Sequence, residues 1–141
     1  MNLTDFKKLK TRKPRSNRES KLQQACVRWF RYKYPKLRLL LFSIPNGAEL
    51  KGNEKRRAQQ VNRLKAEGMT PGAADLFLSV PSGDLPGLYI EMKTIAKSSK
   101  QSESQKEFEA AVLGQGYGYA MPKTIDEFMS VVRSYLETGD Y

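Results

Sequence analysis

Pro71-Gly72-Ala73-Ala74-Asp75-Leu76-Phe77-Leu78 and Leu88-Tyr89-Ile90-Glu91-Met92-Lys93 are the two stretches on which the fold turns. Each reads as a strand that carries charge where a strand should be apolar. Side chains alternate faces along a strand, so Glu91 and Lys93 project from one face and Ile90 and Met92 from the other. The segment between them, Pro81-Ser82-Gly83-Asp84-Leu85-Pro86-Gly87, is short and rich in turn formers. The two strands, Asp75 to Val80 and Leu88 to Thr94, are therefore expected to pair antiparallel, which brings their charges toward one patch.

Outward from this pair, helical and extended patterns alternate. Ser16-Asn17-Arg18-Glu19 fits a helix-capping box, followed by an apolar stripe of Leu22, Cys26, Trp29 and Phe30 that ends before Pro35. Leu37 to Ser43 reads as a buried strand, closed by the turn signal Pro45-Asn46-Gly47. Residues 53–67 read as a surface helix with Ala58, Val61 and Leu64 inward, ended by Gly68. After Lys93, Ser102-Glu103-Ser104-Gln105 is a second capping box. It opens a helix with Phe108, Ala111 and Val112 on its apolar face and Gly114 at its end. Tyr117 to Met121 is a short strand. Thr124-Ile125-Asp126-Glu127 starts a last helix whose apolar face is Phe128, Val131, Val132, Tyr135 and Leu136. Interleaved strands and helices predict an α/β fold, a small central mixed sheet covered by helices. Residues 1–15, rich in Lys and Arg, are expected to be a flexible basic arm, and 16–141 a single domain.

Composition narrows the chemistry. The chain of 141 residues has no histidine and one cysteine, Cys26. This excludes a histidine–cysteine zinc cluster, a Ser-His-Asp triad and an internal disulfide, and it fits a reducing, cytoplasmic setting. A metal here would be held by oxygen, which favours Mg²⁺ or Mn²⁺. With 25 Lys and Arg against 15 Asp and Glu, the net charge is +10, which suits a polyanionic partner, most simply nucleic acid. The cations of 53–67 (Lys55, Arg56, Arg57 and Arg63), with Lys97 and Lys100 further on, suit a phosphate backbone, although a solvated helix face has the same composition. No run approaches the ~20 apolar residues of a membrane span, and no secretory signal is expected.

Asp75 alone could be a turn former, and Glu91 with Lys93 could be an ion pair on an exposed strand. Together they are a set able to hydrolyse a phosphodiester: two strand-borne carboxylates for one hard cation, and a lysine to orient water. Glu19 and Gln105 read first as capping partners.

The order Glu19, Ile44-Pro45-Asn46-Gly47, Thr70-Pro71-Gly72-Ala73-Ala74-Asp75-Leu76, Glu91-Met92-Lys93 and Ser102-Glu103-Ser104-Gln105 resembles the VRR-NUC family. These are the virus-type replication-repair nucleases of the PD-(D/E)xK superfamily. The resemblance spans about Glu19 to Leu136. It implies a restriction-endonuclease-like core and a site in which Asp75 and Glu91 hold the metal. The backbone carbonyl of Met92 would add a ligand, and Glu19 would serve a second metal site or bind through water. Lys93 and Gln105 would complete the catalytic set. The separation of Pro71 from Asp75 departs from the superfamily's nominal motif, as is usual in this branch. The resemblance also implies a homodimeric, DNA-cutting enzyme acting on branched DNA such as four-way junctions, in a phage or bacterial setting. The alternatives are a non-catalytic DNA-binding module and a flap or nicking nuclease. An RNA-directed protein ranks lower, because the sequence lacks an aromatic-rich motif for stacking single-stranded RNA.

Overall fold

A computed structural model describes residues 17–45, 50–95 and 100–141. The basic arm, Ser16, Asn46-Gly47 and Lys97 lie outside the described residues. The chain forms α1 (Asn17–Lys33), a 3₁₀ turn (Pro35–Leu37), β1 (Leu41–Ser43), α2 (Glu54–Ala66), β2 (Leu76–Leu78), β3 (Leu88–Ile90), α3 (Glu103–Gly114), β4 (Gly118–Ala120) and α4 (Ile125–Thr138). The four strands make one mixed sheet in the order β1-β2-β3-β4. The first two pairings are antiparallel, with Ser43 opposite Leu76 and Leu76 opposite Ile90. The β3–β4 pairing is parallel, Ile90 opposite Ala120, and α3 makes the crossover that parallel strands require.

Two-residue alternation sorts the side chains. Leu41, Leu76, Leu78, Leu88, Ile90 and Met92 point to one face, where Cys26 and Phe30 of α1 and Phe128, Val132 and Tyr135 of α4 close the main core. The other face carries a smaller cluster of Ala74, Val112 and Tyr119 with Tyr89 and Phe108, beneath α3. Phe77 and Tyr89 stack across β2 and β3 at 4.5 Å between centroids, and Tyr89 meets Phe108 edge-on at 5.2 Å. These contacts fix the strand register and seat α3.

The Ser102 and Thr124 caps follow the sequence, and Asn53 adds a third. The side chains of Asn53, Ser102 and Thr124 accept from the backbone N–H groups of Arg56, Gln105 and Glu127, each three residues on. Gly68, at φ +109°, sits directly past the end of α2.

Two expectations need correction. Leu37–Ser43 is not one buried strand, since only Leu41–Ser43 is strand and Leu39 is 77% exposed. Pro35 pre-sets the dihedral of a 3₁₀ turn. The N–H of Leu37 then donates to the Tyr34 carbonyl and that of Leu40 to the Leu37 carbonyl, which diverts these amides from the sheet. On α3, Ala111 is exposed, and the apolar contact with the sheet comes from Phe108 and Val112. The labelled strands are shorter than expected, but the ladder continues past them. Ile44 N–H donates to the Asp75 carbonyl, Glu91 N–H to that of Ala120, and Lys93 N–H to that of Pro122.

Candidate active site

Leu76 stands opposite Ile90, so continuing the antiparallel register by one residue sets Asp75 across from Glu91. Directly opposed residues of an antiparallel pair have Cβ atoms about 4.5–5.5 Å apart. Both acids are withdrawn from solvent, Asp75 at 4% and Glu91 at 0% exposure. Burying a charge this far demands compensation. Part of it is explicit: Asp75 Oδ2 accepts from the Met92 backbone N–H at 2.8 Å, and Glu91 Oε1 accepts from Gln105 Nε2 at 2.8 Å. The first bond straps the two strands together at the level of the acids.

Lys93, 7% exposed, reaches across to α3. Its Nζ donates to Gln105 Oε1 at 2.9 Å and to the Lys100 backbone carbonyl at 3.4 Å. Glu91 and Lys93 are therefore not an ion pair on an exposed strand. They are buried neighbours on one face, and a neutral amide stands between them.

Gln105 has two jobs. Its Oε1 accepts from the Ser102 backbone N–H at 2.9 Å, the reciprocal arm of a complete capping box. The same oxygen accepts from Lys93, while Nε2 donates to Glu91. Only one orientation of the amide satisfies all three contacts, because an ammonium and a backbone N–H need an acceptor and a carboxylate needs a donor. The capping role read from the sequence is met, and the same side chain also joins Lys93 and Glu91.

Gly72 explains how the Asp75 loop comes so close to α3. Thr70-Pro71-Gly72-Ala73 is a turn closed by Ala73 N–H donating to the Thr70 carbonyl at 3.1 Å, with proline second and a glycine at φ +80° third. This is the type II signature. A Cβ added at Gly72 would lie 2.3 Å from the backbone carbonyl of Ser104, in the first turn of α3. The turn before Asp75 therefore packs backbone to backbone against the residue that precedes Gln105. The Thr-Pro-Gly run was the available signal, but its partner could not be read from the sequence.

Tyr119 is a further neighbour that the sequence did not flag. Burial chiefly raises its phenol above the ordinary range, and the nearby carboxylates of Glu91, Glu109 and Asp75 add to the rise, while Gln101 partly offsets it. Gln101 Nε2 donates to Glu109 Oε2 at 2.6 Å beside it. Tyr119 pairs with Tyr89, two residues before Glu91 on the same side of β3, so alternation was the signal for it.

Glu19 lies in the first turn of α1 and is half-buried. Among the described residues, no group of three or more Cys, Asp or Glu side chains gathers as a metal-binding cluster. The two carboxylates that the strands bring together are Asp75 and Glu91. Lys55, Arg56, Arg57 and Arg63 are all exposed on α2, away from the sheet core. Two of them are engaged locally: Arg57 Nε donates to the Gly52 carbonyl at 3.0 Å, and Arg63 faces Glu67 at 3.7 Å. Lys100 is exposed, and its carbonyl serves Lys93.

A solved structure named VRR_NUC domain protein matches this architecture with a TM-score of 0.71, over 90% of this chain and 94% of its own, at 24% identity. The chain has the VRR-NUC fold. No protein-family model matches the sequence, and no curated protein matches it. The VRR-NUC fold accounts for the mixed four-stranded sheet flanked by helices. Among the described residues, no helix is long and apolar enough to cross a membrane.

Proposed function

We propose that the chain is a member of the VRR-NUC family and a DNA endonuclease that uses Mg²⁺ or Mn²⁺ to hydrolyse phosphodiester bonds. The observation that carries this reading is the acid–amide–ammonium unit: buried Glu91 and Lys93 bridged by Gln105, with Asp75 across from Glu91. The donor set fits a hard cation, since it is all oxygen and two of its members are carboxylates. Asp75, Glu91 and the Met92 backbone carbonyl would hold the ion, and Glu19 would serve a second ion or reach the first through water. When bound, the cation polarises the scissile phosphate as a Lewis acid.

The chain's own groups do the rest. The Lys93 ammonium has three donors; two meet Gln105 and Lys100, and the third orients the attacking water and meets the charge that develops on the phosphate. Gln105 holds Glu91 and Lys93 in fixed relation, so neither must reorganise during the reaction. The net charge of +10, with Lys55, Arg56, Arg57, Arg63, Lys97 and Lys100 among its sources, draws the polyanion to the surface. We extend the reading to branched DNA such as four-way junctions and to a homodimer, whose two-fold axis would place one site on each of two symmetric arms.

Cleavage of linear duplex, flap and four-way-junction DNA, with Mg²⁺ or Mn²⁺ and with EDTA, tests the proposal. Cutting should require the ion and favour the junction. Glu91→Gln and Lys93→Ala should bind DNA but not cut it, and cutting that persists in either protein refutes the mechanism. Light scattering on the purified protein should give twice the mass of one chain.

A further inference from the structure

We infer that the cleft between α1 and the β1 edge is the track along which the phosphate backbone of the cut DNA strand lies. The inference rests on the nuclease reading and assigns that site a binding surface other than α2. The cleft has a volume of about 430 Å³, and its helix wall includes Ser20, Gln23, Gln24, Arg28 and Arg31. With Val27, these residues recur at steps of three and four and form one continuous face of α1. The adjoining face sends Cys26 and Phe30 into the core. A helix face turned toward a sheet is normally apolar, whereas five of the six positions here are polar and two are guanidinium groups. Among the described residues, no acidic side chain lines the cleft.

The shape selects a strand over a small anion. Ser20 to Arg31 is eleven helical steps, roughly 16 Å. At about 3.4 Å of duplex axis per nucleotide of one strand, that length spans several phosphates. Arginine presents a planar fork matched to phosphate oxygens, and hydroxyl and amide groups serve the same backbone without reading bases. The cleft also borders the strand that runs out of Asp75. Its sheet wall includes Ser43 and Leu76, and Leu76 directly follows Asp75. Next along from Ser43, Ile44 N–H donates to the Asp75 carbonyl at 2.9 Å, so the edge strand and the catalytic loop share a bond. Glu19 precedes Ser20 at the same end of α1.

The test measures binding of four-way-junction DNA by fluorescence anisotropy between 50 and 200 mM salt, in the Glu91→Gln background so that nothing is cut. Adding Arg28→Ala and Arg31→Ala should weaken binding roughly tenfold. It should also lower the slope of log K against log salt by about 1.4–1.8, the value for two lost phosphate contacts. Arg28→Lys with Arg31→Lys, which keeps both charges, should restore the slope and so separates charge from folding. Lys106→Ala, at an exposed position of α3, should leave the slope nearly unchanged. An unchanged slope in the double-alanine protein, or an equal loss per charge from Lys106→Ala, overturns the cleft assignment. Cutting by the wild-type protein in that case leaves the nuclease reading standing. A wild-type protein that neither binds nor cuts DNA overturns both.

Discussion

Replacing Gln105 by glutamate changes one atom's chemistry and tests the central unit. A glutamate keeps two acceptor oxygens, so the bonds from the Ser102 N–H and from Lys93 survive. The donor that met Glu91 at 2.8 Å becomes a second carboxylate oxygen. Glu91 is fully buried and position 105 is 5% exposed, so water screens little of the repulsion. Losing a hydrogen bond to a buried charge costs about 1.5–3 kcal/mol, and repulsion adds to it. We expect Gln105→Glu to lose about 2–4 kcal/mol at pH 7, roughly 6–12 °C in melting temperature for a domain of this size. The pH dependence identifies the cause. Two carboxylates in contact raise one pKa above the unfolded value near 4.3, so the folded state binds the extra proton in that window. Stability should therefore recover as pH falls from 7 toward 5, and fall again as pH rises. Gln105→Met, which removes all three contacts without adding charge, should be destabilised with no such recovery. Urea melts in EDTA at pH 5, 6 and 7 make the measurement. A Gln105→Glu protein as stable as wild type at pH 7, or one that loses stability in parallel with wild type toward pH 5, refutes the bridging role.

Gly72→Ala should destabilise the fold by about 3 kcal/mol or more, because it forces a Cβ onto the Ser104 carbonyl at a positive φ; a urea midpoint close to wild type would contradict the close approach. Burial pushes the Cys26 thiol from 9.0 up to about 12. The folded protein should resist thiol reagents that label it at once in denaturant. Above pH 9 the folded state keeps a proton that the unfolded chain has lost, so stability declines with rising pH by up to about 1.4 kcal/mol per unit, a component that Cys26→Ala should remove from alkaline melts. Asn53→Ala removes the α2 cap and should cost about 1 kcal/mol in thermal melts, with DNA cutting otherwise retained.

Much of the architecture was legible because local signals and tertiary packing agree. Alternation assigned Ile90 and Met92 to one face, and Ser102 and Thr124 marked the starts of two helices. Leu37–Leu40 misled because apolar residues after a proline resemble a strand, while turn hydrogen bonds claim their amides. Asp75, Glu91 and Lys93 were legible as charges out of place on strands. The full role of Gln105 was not, since the distance from α3 to β3 is set by packing and a cap alone explains the motif. The cleft face of α1 had no signal either: a polar helix face reads the same whether it meets water or phosphate.

One amide both starts α3 and joins Glu91 to Lys93, so helix initiation and alignment of the charged groups are a single event. A chain whose third helix has not begun at Ser102 lacks the amide bridge between Glu91 and Lys93. On the nuclease reading, fraying of that one turn would cost the molecule its alignment of charged groups along with its helix start.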